Sequence, residues 1–143
     1  MVLRVLGTGA TARAFHVRRD GLESVLKVAR NAQAEERLDD EATALEGLRH
    51  EHLVILKRGV FPLGARHAIE IDYAGQRTLA QVLRQDGSLL PDQLQRFGDQ
   101  LLDVLDYLRR RDTFHRDIKP DNLAIRTHPK RGASLVLLSL IHI

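Results

Sequence analysis

A dense group of polar side chains lies in the twelve residues "FHRDIKPDNLAI", which run from Phe114 to Ile125. Asp117 can orient a hydroxyl group and accept its proton, and Lys119 can neutralise a phosphoryl group as it moves. Asn122 offers a neutral oxygen to a hard metal ion such as Mg²⁺. The spacing therefore indicates a loop for phosphoryl transfer. The plainer alternative is a turn rich in Asp and Asn, in which Pro120 acts as a helix breaker.

A second group of residues with a chemical use lies near the N-terminus, in "LGTGATARAF". Gly7 and Gly9, followed by Ala12, form a glycine-rich turn whose backbone N–H groups can approach a phosphate closely. Lys27 follows in the apolar run "VLKVA" and is one of only four lysines, in a chain whose usual basic residue is arginine. These residues predict a phosphate-binding loop and its cation. A plain glycine-rich hairpin and a surface lysine are the alternatives.

The stretch that follows Lys27 has the apolar spacing of a helix, with Leu38, Leu45 and Leu48 on one face. Glu41 falls on that same face. A carboxylate on a buried face needs a cation, because an unpaired buried charge is costly. We therefore expect Glu41 to pair with Lys27. A half-exposed position at the margin of the face is the alternative.

The pattern of apolar residues predicts the elements that position these side chains. Helical spacing indicates three helices, and the longest has an apolar stripe from Leu94 to Leu108. The predicted elements are the strands Val2–Leu6, Ala14–Arg18 and Ser24–Ala29, the helix Ala32–Arg49, strands at 52–61 and 66–73, the helices Thr78–Gln85 and Pro91–Arg111, and the strands Leu123–Arg126 and Leu135–Leu140. This order predicts an α+β fold with two subregions joined near Asp72 to Gln76.

The composition excludes several classes of protein. The 143 residues are 43% hydrophobic and 29% charged, which is typical of a globular domain rather than of a disordered chain. A net charge of +3 is too small to indicate nucleic acid as a partner. The sequence contains no cysteine, no apolar run that could span a membrane and no signal-peptide pattern. We therefore expect a cytoplasmic domain with neither nucleic-acid nor membrane partners.

The stretch "HRDIKPDN" resembles the catalytic loop of eukaryotic-like (Hanks-type) serine/threonine protein kinases almost letter for letter, and Lys119 is placed as in the serine/threonine branch. The resemblance covers residues 3–138. It implies a protein-kinase-like bilobal fold. Residues 1–74 would form an ATP-binding N-lobe of five strands and one helix, and residues 75–143 would form the first part of the helical C-lobe.

The kinase resemblance implies a role for each residue named above. It implies that Mg-ATP is the phosphoryl donor and that a Ser or Thr hydroxyl group of a protein is the acceptor. It also favours Glu41 over Glu35 and Glu36 as the partner of Lys27. The implied catalytic residues are Asp117 and Lys119, and the implied Mg²⁺ ligand is Asn122. Asp72 and Ala74 would lie at the hinge that meets the adenine. The implied ATP-binding residues, including these two, are Gly7, Gly9, Ala12, Lys27, Glu41, Asp72 and Ala74.

The last residues depart from the kinase pattern. A kinase holds Mg²⁺ with an Asp that follows the next strand, usually within Asp-Phe-Gly, whereas Ser139 occupies that place here. We therefore expect an inactive fragment that is truncated before this motif. The residues "LSLIHI", 138–143, also match the translation of an adapter used in sequencing libraries. The alternative functions are a non-catalytic pseudokinase or nucleotide-binding scaffold module, and a kinase of small molecules.

A narrower resemblance rests on "LGTGATARAF", "HRDIKPDNLAI" and "LVLL" together. These stretches are similar to kinase domains of the PglW type, which belong to bacterial phage-defence systems. In that type, the kinase domain is one part of a much longer chain. The resemblance therefore implies further domains beside this one and a role in phage defence.

Overall fold

The computed structural model describes residues 1–9, 11–75, 77–113 and 118–138. The chain divides into two compact units, of which the first consists of Met1–Leu48 and Ile55–Tyr73, and the second of Arg49–Val54 and Ala74–Ile143. The short Arg49–Val54 segment therefore belongs to the second unit. The expected domain extents, 1–74 and 75–143, stay a prediction.

A five-stranded antiparallel sheet with the strand order β1-β2-β3-β5-β4 forms most of the first unit. Its strands are β1 (Val2–Thr8), β2 (Ala12–Arg19), β3 (Leu22–Ala29), β4 (Leu56–Leu63) and β5 (Arg66–Asp72). The five predicted strands are confirmed, although β4 begins at Leu56 rather than at residue 52. The β2–β3 turn is a two-residue hairpin, since Arg19 pairs with Leu22 while Asp20 and Gly21 have φ values of 52° and 78°.

Helix α1 (Ala32–Leu45) packs against β3, β4 and β5 of this sheet. Its first turn is capped by Asn31, whose side chain accepts a hydrogen bond from the N–H of Ala34 at 2.9 Å. Leu38 and Leu45 are fully buried, as their helical spacing predicts. The helix therefore lies with its apolar face on the sheet.

Helix α1 ends at Leu45, whereas the sequence pattern predicted an end at Arg49. Glu46 has an extended backbone, with φ −59° and ψ 127°, and Gly47 has a φ of 75° that is strained for other residues. Gly47 thus turns the chain out of the helix. The helical spacing of apolar residues continues beyond Gly47, but the segment that contains these residues is packed without forming a helix.

A three-stranded sheet with the strand order β6-β7-β8 and two helices form the second unit. Its elements are β6 (Arg77–Thr78), α2 (Leu79–Asp86), α3 (Pro91–Arg109), a 3-10 turn at Pro120–Asn122, β7 (Leu123–His128) and β8 (Gly132–Leu137). Both helices and the β7–β8 pair were predicted, whereas the two-residue β6 was not. Leu94, the first residue of the expected buried stripe of α3, is 63% exposed. Within the described ranges, no helix combines the length and apolar character that a membrane span requires.

The edge of β8 that faces away from β7 is covered by the segment between α1 and β4 and by α3. Leu137 N–H donates to the His52 carbonyl at 2.8 Å, and Val54 N–H donates to the Leu137 carbonyl at 2.9 Å. Leu135 N–H donates to Gln100 Oε1 at 2.8 Å, and the Leu135 carbonyl accepts from His52 Nδ1 at 2.9 Å. The second edge of β8 is thus hydrogen-bonded by backbone and side chains.

Candidate active site

Three strands of the first sheet bring the glycine-rich loop and the expected phosphate-binding lysine side by side. The register pairs Gly7 with Ala14, and Ala14 with Lys27. Lys27 is also paired with Ile69 of β5, which is fully buried. Residues that lie directly opposite each other in antiparallel strands share one face of the sheet. These four residues therefore form one cross-strand row.

The two glycines of the loop leave backbone uncovered. A Cβ atom added to Gly7 would meet no atom within 4 Å, and one added to Gly9 would meet the Ala12 carbonyl oxygen only at 3.7 Å. Neither glycine has a positive φ, so the turn itself does not demand glycine. Gly9 N–H donates to the Ala12 carbonyl at 2.9 Å, and Arg30 Nη1 donates to the Gly9 carbonyl at 3.0 Å. This hydrogen bond from Arg30 thus stabilises the loop. No sequence pattern indicated Arg30.

The predicted ion pair between Lys27 and Glu41 is present, with 2.5 Å between Lys27 Nζ and Glu41 Oε1. The Lys27 side chain is 16% exposed and the Glu41 side chain 10%. Removal of one partner would leave the other charge largely buried without its counterion, which is destabilising. Glu35, the nearby rival, contacts side chains of β5 instead, and Glu36 is exposed.

Two residues of the expected hinge, Asp72 and Tyr73, contact other residues of the first unit. The Tyr73 ring stacks on His16 with 3.9 Å between centroids and 9° between planes. Arg4 Nη2 donates to Tyr73 Oη at 3.4 Å, and Asp72 N–H donates to the Ile55 carbonyl at 2.9 Å. These contacts fix the path of the main chain at the expected hinge.

The chain enters the second unit at Ala74, which is 3% exposed. Gly75 follows with a φ of 142°, and a Cβ atom there would overlap the carbonyl group of Ile125 in β7. Only glycine fits this position. Gly75 was not singled out from the sequence, because one glycine beside a helix carries no distinctive pattern.

Lys119 and Asn122 lie at the beginning of the β7–β8 hairpin in the second unit. Asn122 N–H donates to the Lys119 carbonyl at 2.9 Å, which closes the 3-10 turn. Leu138 N–H donates to the Asn122 carbonyl at 2.9 Å. Asn122 is half-buried and Lys119 is exposed. The backbone of Asn122 is therefore fixed by the residue that follows β8. That residue, Leu138, immediately precedes Ser139 in the sequence.

Asp117, the expected catalytic carboxylate, lies outside the described residues, as does Ser139. Within the described part of the chain, no group of three or more His, Cys, Asp or Glu side chains is placed to hold a metal ion. Asn122, the expected Mg²⁺ ligand, lies within that part of the chain. The uncovered glycine backbone and the paired lysine, in contrast, suit a phosphate group.

Comparison with known proteins identifies relatives of this architecture. The family model of the protein kinase domain matches residues 1–137. Probable kinase PglW of Streptomyces coelicolor is 37% identical over 96% of this chain and 11% of its own length. Serine/threonine-protein kinase 36 of Pongo abelii is 32% identical over 87% of this chain and 10% of its own length. The chain thus spans about a tenth of the length of these curated relatives.

A solved structure shares the fold. The crystal structure of Rad53 1-466 in complex with AMP-PNP matches with a TM-score of 0.82 and 21% identity, over 95% of this chain and 37% of that one. The five-stranded sheet with its helix and the first part of a helical lobe are those of the protein kinase fold. The expected fold class is confirmed, and the chain belongs to the protein kinase family.

Proposed function

We propose that this chain is the ATP-binding region and the catalytic loop of a serine/threonine protein kinase. The observation that carries the proposal is the partly buried Lys27–Glu41 ion pair, whose lysine lies in one cross-strand row with Gly7 and Ala14. A lysine held in this way presents its charge at a fixed position, beside backbone that no side chain covers. This arrangement suits the phosphates of a nucleotide.

These contacts and the family membership support a role for each residue in nucleotide binding. Lys27, oriented by Glu41, binds the α- and β-phosphates of ATP. The loop at Gly7, Gly9 and Ala12 covers the phosphates with its backbone. Asp72 and Ala74 offer backbone atoms to the adenine.

The roles in phosphoryl transfer rest on the catalytic loop. Asp117 orients a Ser or Thr hydroxyl group of the protein substrate. As the hydroxyl oxygen bonds to the γ-phosphorus, the bond from that phosphorus to the bridging oxygen breaks, ADP leaves and Asp117 takes the hydroxyl proton. Lys119 neutralises charge on the transferred group. Asn122 supplies one oxygen to Mg²⁺, which neutralises phosphate charge when bound.

Calorimetric titration of the chain with ATP, with and without Mg²⁺, tests nucleotide binding. We expect Lys27→Met to weaken ATP binding about ten- to a hundredfold, the usual loss for a hydrogen bond to a charged group. Lys57→Met is the matched control, because Lys57 is an exposed lysine on β4 of the same sheet. Unchanged ATP affinity in Lys27→Met, or an equal loss in both variants, would contradict the proposal.

Ser139 favours a second candidate function, a non-catalytic pseudokinase or nucleotide-binding scaffold. A serine is neutral and offers Mg²⁺ one weak oxygen, so we expect no transfer by the 143-residue chain alone. The full-length protein that contains this chain decides between the two functions, assayed with Ser/Thr and with Tyr peptides. Transfer to Ser or Thr that is lost in Asp117→Asn supports the kinase. ATP binding without transfer supports the scaffold.

The similarity to Probable kinase PglW supports a wider proposal about context. We infer that the domain acts on a protein substrate within a longer cytoplasmic protein of a phage-defence system. Deletion of the gene in its host, followed by plaque counts for several phages, tests this. An increase in plaques that the intact gene reverses supports the proposal, and unchanged counts for every phage contradict it.

A further inference from the structure

Helix α1 has a second charged attachment to the sheet, separate from the Lys27–Glu41 pair. Glu35 and Asp39 are four residues apart on α1 and so lie on one face of the helix. The first two residues of β5, Arg66 and His67, lie opposite that face. The two carboxylates repel each other at this spacing, and Arg66 and the protonated form of His67 offset that repulsion.

His67 makes the shortest contacts of this group. His67 Nδ1 donates to Asp39 Oδ1 at 2.9 Å and lies 3.2 Å from Oδ2. Its backbone N–H donates to Glu35 Oε1 at 3.4 Å, and its Nε2 lies 3.9 Å from Glu35 Oε2. Arg66 Nη1 is 3.8 Å from Glu35 Oε1. His67 is therefore the residue of β5 that contacts both Glu35 and Asp39.

The charged groups at this contact come from α1 and β5. Helix α1 contributes Glu35 and Asp39, and β5 contributes Arg66. The residue paired with His67 on β4 is Pro62, which has no charge. Two carboxylates thus act on the imidazole from one side. The hydrogen bond that His67 donates to Asp39 is the main cause that raises the pKa of His67 above its usual value of 6.5, and the charge of Glu35 adds to it.

These contacts bear on the site because Glu41 is on the same short helix. Glu41 is two residues after Asp39, about 200° around the helix, so the two attachments hold α1 from different sides. If α1 turns or shifts, Glu41 leaves Lys27. We propose that His67 is a positioning residue for nucleotide binding, which holds α1 through Asp39 and Glu35 so that Glu41 stays against Lys27. The proposal rests on the proposed function of the Lys27 site.

The proposal predicts that the attachment of α1 depends on pH. A raised pKa means that the protonated imidazole is favoured in the folded state, so its contribution is fully present below about pH 6.5. That contribution is lost as the pH rises through the higher pKa of the folded state. The neutral ring still donates its Nδ1–H to Asp39, but the charge attraction is gone. The fraction of molecules with Glu41 at Lys27 then falls, and the apparent ATP affinity falls with it.

The test compares the 143-residue chain with His67→Gln and His67→Arg at about pH 6 and about pH 8.5, on either side of the titration of a histidine. His67→Arg keeps a permanent cation, and His67→Gln removes it. His128→Gln is the matched control, because His128 is an exposed histidine at the end of β7 in the second unit. Comparison at each pH cancels the titration of ATP itself. The readouts are ATP affinity and hydrogen exchange of the α1 amides, residues 32–45, without nucleotide.

We expect wild type, His67→Arg and His128→Gln to bind ATP equally at about pH 6, and His67→Gln to bind about two- to fivefold more weakly, the range for exposed ion pairs. At about pH 8.5, wild type should fall towards His67→Gln while His67→Arg does not. Exchange of the α1 amides should follow the same order. Equal pH profiles and equal exchange in wild type, His67→Gln and His67→Arg would overturn the proposal.

The two proposals fail in different ways. If Lys27→Met binds ATP as well as wild type, the nucleotide site is wrong, and the exchange of α1 amides still decides whether His67 holds the helix. If Lys27→Met loses ATP but the His67 variants match wild type in both readouts, only the inference about His67 is wrong.

Discussion

Two glycines of this kinase domain differ in whether a side chain could replace them. Gly75 has a φ of 142°, and a side chain there would overlap Ile125. Gly98, inside α3, has no positive φ and has open space where a Cβ atom would lie. The same residue type is therefore essential at one position and unfavourable at the other, since glycine within a helix is less stable than alanine.

We expect Gly75→Ala to lower the free energy of unfolding by about 2 kcal/mol or more, because strained backbone and steric overlap add. Gly98→Ala, the matched control, should raise it by about 0.5–1 kcal/mol. Urea unfolding followed by circular dichroism measures both. A Gly75→Ala protein as stable as wild type would show that the backbone beside Ala74 is not fixed by this contact.

Among single residues, the sequence was most informative where chemistry demands several residues at once. Lys27 and Glu41 were predicted as a pair because a carboxylate on an apolar face needs a cation. Arg30 and His67 were not, since a basic residue at the end of a strand has many possible partners. Their contacts depend on which strands and loops come together in space, and the sequence alone does not state this.

The backbone of strand β8 forms hydrogen bonds with side chains as well as with a neighbouring strand. Leu135 is 1% exposed, and its N–H and carbonyl groups bond to Gln100 and His52 rather than to a strand. Since the carbonyl can only accept, the proton of His52 must be on Nδ1. A polar group at a buried strand edge is costly if it lacks a partner, so both side chains stabilise β8.

Gln100→Ala should therefore destabilise the domain by about 1–3 kcal/mol, because it leaves the buried N–H of Leu135 without its acceptor. Gln95→Ala is the matched control, as Gln95 is an exposed residue of the same helix. Thermal melting of both variants gives the comparison, supported by hydrogen exchange at Leu135. Equal melting temperatures would mean that water replaces the Gln100 side chain at no cost.

The predicted helices and strands are confirmed where the apolar periodicity and the turn residues indicate the same boundaries. The β2–β3 hairpin fits its local sequence, because Asp20 and Gly21 at its tip both adopt the positive φ of a two-residue hairpin turn. Helix α1 was predicted too long, because the leucine spacing continues past Gly47 into a segment that bonds to β8. Strand pairing over a long sequence distance leaves no mark in local periodicity, which also explains why β6 was missed.

Exposed leucines on α3 affect how the whole chain behaves in solution. Leu90, at the N-cap, is 62% exposed, and Leu94 and Leu102 in the helix are 63% and 67% exposed. At about 100° per residue, the three point to one side of the helix. An apolar surface of this kind promotes association between molecules.

We expect the expressed chain to self-associate, and the double variant Leu94→Lys, Leu102→Lys to stay monomeric at concentrations where wild type does not. Light scattering on a size-exclusion column measures this. The control is Leu22→Lys, Leu63→Lys, which makes the same charge change at exposed positions of the first unit. If both pairs improve solubility equally, net charge rather than the α3 surface is responsible.

The pairing of the segment after α1 with β8 also has a consequence for synthesis on the ribosome. His52 and Leu135 are separated by 83 positions, so the early segment emerges long before its hydrogen-bonding partner is translated. The five strands of the first sheet, in contrast, have all been translated once Asp72 has been added. The nascent chain can therefore complete that sheet before β8, the hydrogen-bonding partner of the segment after α1, has been translated. The segment after α1 is thus synthesised before β4 and β5 but acquires its hydrogen-bonding partner only after both of those strands have been made.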